Sequence, residues 1–125
     1  MGSIRNFKDL VAWQKAMALA VDVYRLTSAF PADERFGLTA QTRRACVGIA
    51  ANIAEGFGRS SRADYLRFLD MARGSANEVE TLLILAGDLG LVDGATVLKT
   101  MESVIEVRKV LAGLIRSLRA AGDKQ

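Results

Sequence analysis

One stretch of the chain, residues 41–59, is dense in small side chains and constrains the fold more than any other part. It reads QTRRACVGIAANIAEGFGR and contains no proline. Small side chains on several faces of a helix allow the backbones of neighbouring helices to approach closely. The stretch therefore predicts a helix that lies in the middle of a helical bundle.

Four of the polar residues of this helix would lie on or beside its packing surfaces, and they are Gln41, Arg44, Asn52 and Glu55. An unpaired polar group on a helix-packing surface costs about 1–3 kcal/mol, so we predict that the four belong to a structural polar network with partners on the same or a neighbouring helix. Glu55 also lies in the last turn before Gly56, where the negative end of the helix dipole disfavours a carboxylate. A nearby cation is expected to compensate it.

Apolar residues recur at spacings of three and four in the other segments, which predicts further amphipathic helices. The four predicted helices span about residues 7–28, 38–56, 61–89 and 94–121. Asn6, Ser61 and Asp93 are predicted N-caps, and Gly56 and Gly58 are interpreted as helix stop and turn residues. No segment keeps the alternation of period two that would predict a strand, so the chain is predicted to be all-α.

The short connections between these helices predict how they pack. Helices joined by a few residues must lie antiparallel, which gives an up-down-up-down four-helix bundle over residues 1–125 as a single domain. The first, third and fourth helices each carry two apolar stripes, more than one bundle core needs, and exposed apolar area usually marks an interface. We therefore predict a homo-oligomer, which closes into a ring if the surplus faces pair head to tail.

Composition excludes several kinds of catalytic and metal site. The chain has no histidine and one cysteine, Cys46, so a His-based triad, a His metal site and a cysteine-rich zinc site cannot form. Cys46 is interpreted as a small core residue. We predict no enzymatic activity, no bound metal and no cofactor. No apolar run reaches the roughly 18 residues of a membrane span and no signal peptide is visible, so we expect a cytoplasmic protein without a membrane partner.

Basic residues around the start of the third helix and along the fourth are candidates for binding nucleic acid. These candidates are Arg59, Arg62, Arg67, Arg73, Arg108, Lys109, Arg116 and Arg119. A ring of five chains, each with a net charge of +3, would carry +15 and attract phosphates. The aromatic residues fall mostly in the apolar stripes, so binding would be directed at the sugar-phosphate backbone. The alternative interpretation is an ordinary solvated face.

Several motifs resemble those of one bacterial family. They are Phe7, WQKA at 13–16, YRLT at 24–27, ERFGL at 34–38, Gln41, RRA at 43–45, ANIAEGFGR at 51–59, Tyr65 and EVE at 78–80. The chain is similar in these motifs to the four helix bundle proteins, also called intervening-sequence or S23-type proteins because some are encoded in insertions within large-subunit ribosomal RNA genes. The resemblance covers about residues 7–91, and the fourth helix matches in pattern only.

The resemblance implies a homopentamer around a central pore. It also implies likeness to the accessory protein of diversity-generating retroelements, a pentameric barrel that binds a reverse transcriptase and nucleic acid. The implied partners are RNA or DNA and a protein such as a reverse transcriptase or a ribosomal component. The chain departs from the family at Ala50 and Ala51, where members often have a proline, and at Gly48, where they often have serine.

The sequence therefore predicts a non-enzymatic, homo-oligomeric scaffold or adaptor that binds nucleic acid. Two alternatives stay open. One is a purely structural oligomer that does not bind nucleic acid, and the other is a small-ligand binder that uses Asn52 and Glu55.

Overall fold

The computed structural model describes residues 3–123, which form four α-helices and two short 3-10 helices and contain no strand. The α-helices are α1 (Val11–Thr27), α2 (Leu38–Phe57), α3 (Arg62–Asp88) and α4 (Gly94–Asp123). Each α-helix packs against two others, in the cyclic order α1, α2, α3, α4. This is the arrangement of a four-helix bundle, and the prediction of an all-α chain is confirmed.

The segment that was predicted as the start of the first helix is divided into two parts. Asn6 caps a single 3-10 turn, Phe7–Asp9, and its side chain accepts a hydrogen bond from the Lys8 amide at 2.8 Å. Leu10 is extended, and α1 begins only at Val11. The predicted cap is therefore present, but it caps a 3-10 turn, and the helix bound at residue 7 was wrong. The second 3-10 helix is Ala32–Glu34.

The later helices begin at capped positions and lie within two residues of the predicted bounds. The Asp64 amide donates to Ser61 Oγ at 3.1 Å, and the Thr96 amide donates to Asp93 Oδ1 at 2.8 Å. The hydrogen bond from Thr96 is the main cause that lowers the pKa of the Asp93 carboxyl. Gly90, in the turn between α3 and α4, has φ of +73°, a conformation that favours glycine.

The core takes fully buried aliphatic side chains from all four helices. They include Leu19, Val23, Ile49, Ile53, Leu69, Val79, Leu83, Val104, Val107 and Leu111. Cys46 is also buried here, and burial raises the pKa of its thiol to about 12, as expected for a core residue. None of the helices within residues 3–123 is both long and apolar enough to cross a bilayer.

Gly56 shows why α2 needs small residues. A Cβ at this position would lie 2.8 Å from the Cβ of Phe68 on α3, closer than real Cβ contacts come, and 3.1 Å from the ring of Tyr65, which is also a tight contact. Only glycine permits this approach of the two helices. The predicted stop at Gly56 lies one residue before the end of α2, which is Phe57, and Gly58, the other predicted glycine of the stop, is its C-cap.

Candidate nucleic-acid interface

The polar residues of α2 do not form the predicted network within one chain. Gln41, Arg44 and Glu55 are exposed and Asn52 is half-buried. No hydrogen bond or ion pair in the described part of the chain joins any two of the four. The positions of α2 that face the core are occupied by aliphatic side chains and Thr42, so the polar residues fall on the other side of the helix. The four side chains therefore do not meet within the single chain, and a polar network among them stays a prediction.

The cation that the sequence predicts near Glu55 is Arg59, one turn further along. Its guanidinium lies 2.5 Å from Glu55 Oε1 and also stacks over the ring of Phe68, 4.6 Å from the centroid. Arg67 stacks over the same ring at 4.7 Å and forms an ion pair with Asp64 at 3.5 Å. Two of the candidate nucleic-acid residues thus have carboxylate and aromatic partners at the α2–α3 turn. We call Arg59 and Arg67 the turn cluster.

Five other candidates converge on the outer groove between α3 and α4. The groove consists of two adjoining cavities of about 390 and 370 Å³ that share Arg73 and Ala112. Their basic lining residues are Arg73, Arg108, Lys109, Arg116 and Arg119. On α4 these residues recur with a spacing that keeps them on one side of the helix. We call this the α3–α4 groove.

Two of these five side chains are matched by carboxylates on α3. Arg108 donates to Asn77 Oδ1 at 2.9 Å and forms an ion pair with Glu80. Arg73 forms a weaker contact with Asp70 at 3.6 Å. Both cations remain at the groove, but the carboxylates reduce the local positive charge. The sequence did not predict the pairing of Arg108 with Glu80, which are 28 residues apart.

The other three side chains have no carboxylate partner among the described residues. Among the side chains of residues 3–122, no carboxylate lies within 4.0 Å of Lys109, Arg116 or Arg119, and all three residues are exposed. We call these three residues the α4 cluster. Unpaired, exposed cations along one helix are suited to contact phosphates, since no internal ion pair has to break first.

Arg62 lies near the end of the same groove. A Cβ placed on Gly122 would be 2.9 Å from Arg62 Nε, so the arginine packs beside the last turn of α4. The structure therefore brings Arg62 toward the α4 cluster, although the two are about sixty residues apart in the sequence. Arg62 lines neither cavity of the groove, so five of the eight candidates line it, and Arg62 and the turn cluster do not.

No group of three or more Asp, Glu or Cys side chains in residues 3–122 is placed to hold a metal ion. A cavity of about 480 Å³ lies between α2 and α3 and is lined by Gln41 and Arg44, but not by Asn52 or Glu55. The two residues of the small-ligand alternative therefore do not share this cavity.

Fold and groove together define an all-α protein of four packed helices with a basic outer groove. A family model described as 23S rRNA-intervening sequence protein matches residues 8–113. The chain belongs to this family, so the resemblance inferred from the motifs is confirmed, and the match extends well into α4. The family model covers the part of α4 that carries Arg108 and Lys109.

One solved structure is similar over most of the chain. It is the crystal structure of a protein with unknown function from the S23 ribosomal protein family of Bacteroides thetaiotaomicron. It shares 27% sequence identity with this chain and superposes with a TM-score of 0.78, covering 84% of this chain and 98% of its own. No curated protein matches the chain.

Proposed function

We propose that the protein is a non-enzymatic, homo-oligomeric scaffold whose α3–α4 groove binds the sugar-phosphate backbone of RNA or DNA. The observation that carries this proposal is the convergence of five basic side chains on one groove, three of them unmatched by any carboxylate in the described residues. The charge of the chain is thus concentrated where a polyanion can reach it.

The length of the groove fits a short run of phosphates. Lys109 and Arg119 are ten residues apart on α4, which corresponds to about 15 Å along the helix axis. One strand of a B-form duplex carries a phosphate about every 3.4 Å of axis, so the α4 cluster spans roughly four phosphates. No aromatic side chain lines either cavity of the groove. Binding is therefore directed at the backbone and tolerant of sequence.

Exposed apolar side chains support the oligomeric part of the proposal. Large apolar residues outside the core include Met17, Val21, Tyr24, Val47, Met71, Ile84 and Leu98. Apolar surface of this extent is typical of an interface. We propose a pentameric ring, as the family resemblance implies, which would present five grooves to one nucleic acid and raise its affinity through avidity.

Family membership favours RNA as the first ligand to test. The matching family is named for intervening sequences of 23S rRNA, and the similar crystal structure comes from a family named for a ribosomal protein. We propose the cytoplasm as the site of action. The resemblance adds a protein partner to the adaptor function, such as a reverse transcriptase or a ribosomal component.

The experiment is a fluorescence anisotropy titration of labelled duplex RNA and DNA at several salt concentrations between about 50 and 300 mM. We compare the wild type with Arg116→Ala/Arg119→Ala. Each lost phosphate contact flattens the slope of log K against log salt by about 0.9, so the double variant should lose about 2 units of slope and bind roughly 10- to 100-fold more weakly at low salt.

The matched control is Lys8→Ala/Lys99→Ala, which removes two exposed positive charges elsewhere in the chain. We expect it to keep nearly the wild-type slope. Equal slopes for the control and the groove variant would contradict the proposal. Absence of binding even at about 50 mM salt would favour the purely structural alternative.

A further inference from the structure

A cleft between α1 and α2 concentrates positive charge on a second side of the bundle. It has a volume of about 490 Å³, and three arginines line it, Arg35, Arg43 and Arg44. No Asp or Glu is among its lining residues. The cyclic order of the helices places it on the side opposite the α3–α4 groove, and the two sites share no lining residue. We call this site the α1–α2 cleft.

Arg43 is held in this cleft by groups that carry no charge. Its Nε donates to Thr27 Oγ1 at 2.8 Å, a terminal nitrogen donates to the Tyr24 carbonyl at 3.3 Å, and the guanidinium stacks 4.5 Å from the centroid of the Tyr24 ring. Thr27 is buried, and its hydroxyl donates to the Val23 carbonyl, so its oxygen is oriented to accept from Arg43. These contacts fix the side chain without neutralising its positive charge.

The other two arginines of the cleft also lack a carboxylate partner. Among the side chains of residues 3–122, no carboxylate lies within 4.0 Å of Arg35 or Arg44, and both residues are exposed. Glu34, next to Arg35 in the sequence, instead accepts a hydrogen bond from the Leu38 amide at 3.0 Å, at the start of α2. Arg44 also borders the cavity between α2 and α3, but it does not pair with Glu78 there. The cleft therefore presents three guanidiniums whose charge no contacting carboxylate of the described chain offsets.

Aromatic rings lie beside these guanidiniums. Tyr24 belongs to α1, and Phe36 lies in the connection just before α2. Phe36 is 87% exposed, and in the described chain only the Arg35 guanidinium stacks on its ring, 5.2 Å from the centroid. The ring is therefore open to a planar group of a ligand, and nucleobases of every kind stack on aromatic rings. No aromatic residue lines the α3–α4 groove, so the two basic sites differ in chemistry.

The ligand that matches this combination has a multiply charged anion next to a planar ring. A phosphate monoester carries a charge of about −1.5 to −2 at neutral pH, and the planar guanidinium of arginine binds phosphate oxygens through two parallel hydrogen bonds. A carboxylate carries one negative charge, so it would match three guanidiniums less well. The cleft volume of about 490 Å³ falls within the range of about 300–1,000 Å³ that is typical of small-molecule sites.

We propose that the α1–α2 cleft binds a nucleoside phosphate, with the phosphate on the guanidiniums of Arg35, Arg43 and Arg44 and the base on the ring of Phe36. Two sources supply this chemistry, a free nucleotide and the 5′-phosphorylated end of a single strand. The site goes beyond the proposed function, because it lies apart from the α3–α4 groove and recognises a base ring as well as a phosphate. It depends neither on the oligomer nor on duplex binding.

The test is isothermal titration calorimetry of the full chain with ADP and with pyrophosphate, which lacks the base. We expect ADP to bind with a Kd of about 10–100 μM. Arg35→Ala/Arg44→Ala should weaken ADP and pyrophosphate alike, by about 10- to 100-fold, because both lose charge-assisted hydrogen bonds to the phosphate. Phe36→Ala should weaken ADP by about five- to tenfold and leave the affinity for pyrophosphate unchanged, because it removes only the stacking surface.

Matched controls remove the same kinds of side chain outside the cleft. They are Arg5→Ala/Arg25→Ala for the arginines and Leu98→Ala, 69% exposed, for Phe36. Both should keep the wild-type affinity for ADP to within about twofold. All of the substituted residues are exposed, so the helices should form normally, which far-UV circular dichroism checks. Equal losses in the controls, or a Phe36→Ala variant that binds ADP like the wild type, would overturn the proposal.

A single-stranded hexanucleotide with and without a 5′-phosphate distinguishes the two sources. It is titrated into the Arg116→Ala/Arg119→Ala variant, in which the α3–α4 groove is weakened and ADP should bind as it does to the wild type. An affinity at least about tenfold above that of ADP, lost with the 5′-phosphate, assigns the cleft to a strand end. With ADP bound as expected, any other result assigns it to a free nucleotide. The proposal is overturned if neither ADP nor the phosphorylated hexanucleotide binds at about 1 mM, or if a hexaglutamate peptide binds more tightly than both.

Discussion

The turn cluster and the α4 cluster contain the same kind of side chain in different surroundings. Arg59 and Arg67 stack on one ring, that of Phe68, and each has a carboxylate partner three or four residues before it in the sequence. The α4 cluster has no such partners among the described residues. A count of basic residues in the sequence treats the two clusters alike. The turn cluster has partners that hold its side chains at the fold, whereas the side chains of the α4 cluster have none among the described residues, so we propose the α4 cluster as the ligand-binding one.

The largest expected effect on stability comes from removing the aromatic ring of Phe68, on which both side chains of the turn cluster stack. Phe68 is a buried residue of α3, and the guanidiniums of Arg59 and Arg67 stack on its ring. Phe68→Ala should therefore lower the free energy of unfolding by about 3–5 kcal/mol. Urea denaturation measures this change. Affinity of the remaining folded protein for RNA should change by less than about twofold. A large loss of affinity with little loss of stability would assign the turn cluster to binding.

The close approach of α2 and α3 at the same turn should be nearly as sensitive. Gly56→Ala adds a methyl group 2.8 Å from the Cβ of Phe68, and we expect it to destabilise the protein by about 1–3 kcal/mol. Gly74→Ala is the matched control, because a Cβ at Gly74 meets no heavy atom within 4 Å. Since alanine favours helix, the control should be neutral or stabilising. Equal effects at both positions would contradict the close packing.

A smaller effect is expected where Glu55 pairs with Arg59. Both side chains are more than one-third exposed, so solvent screens the pair and Glu55→Gln should change the free energy of unfolding by less than about 0.5 kcal/mol. Thermal melting measures this. Release of Arg59 from its carboxylate should leave RNA affinity the same or raise it slightly. Loss of any binding activity in this variant would instead support the small-ligand alternative.

The smallest difference concerns the N-caps of the two helices that form the α3–α4 groove. The hydrogen bond from Thr96 lowers the pKa of Asp93 in the folded state, so this carboxylate stabilises the protein above its unfolded-state pKa. That stability is lost as pH falls through the folded-state pKa. The stability difference between wild type and Asp93→Asn should therefore vanish at acid pH, whereas the effect of Ser61→Ala should not follow this titration. Melting curves over a pH series distinguish the two caps.

The sequence predicts local features of this molecule well. Apolar spacing and cap residues such as Ser61 and Asp93 depend on neighbours a few positions away, and so does the pair that Arg59 makes with Glu55. Periodicity shows which residues share one side of a helix. It does not show what lies opposite them. The core role of Gly56 and the pairing of Arg108 with Glu80 depend on another helix and were missed.

The polar residues of α2 also show that the sequence does not indicate what lies opposite a side chain. Their density in an apolar helix indicated partners, but the core-facing positions of α2 were already filled, so the side chains lie on the surface of the single chain. The ring and the nucleic-acid ligand both depend on molecules other than this chain, so they stay predictions.

The most direct test of the central claim compares the two basic clusters in one assay. Arg59→Ala/Arg67→Ala and Arg116→Ala/Arg119→Ala each remove two guanidiniums, and the salt dependence of duplex RNA binding is measured for both. We predict that the α4 variant loses about 2 units of slope while the turn variant keeps the wild-type slope. Equal slopes for the two variants, or a greater loss in the turn variant, would contradict the account.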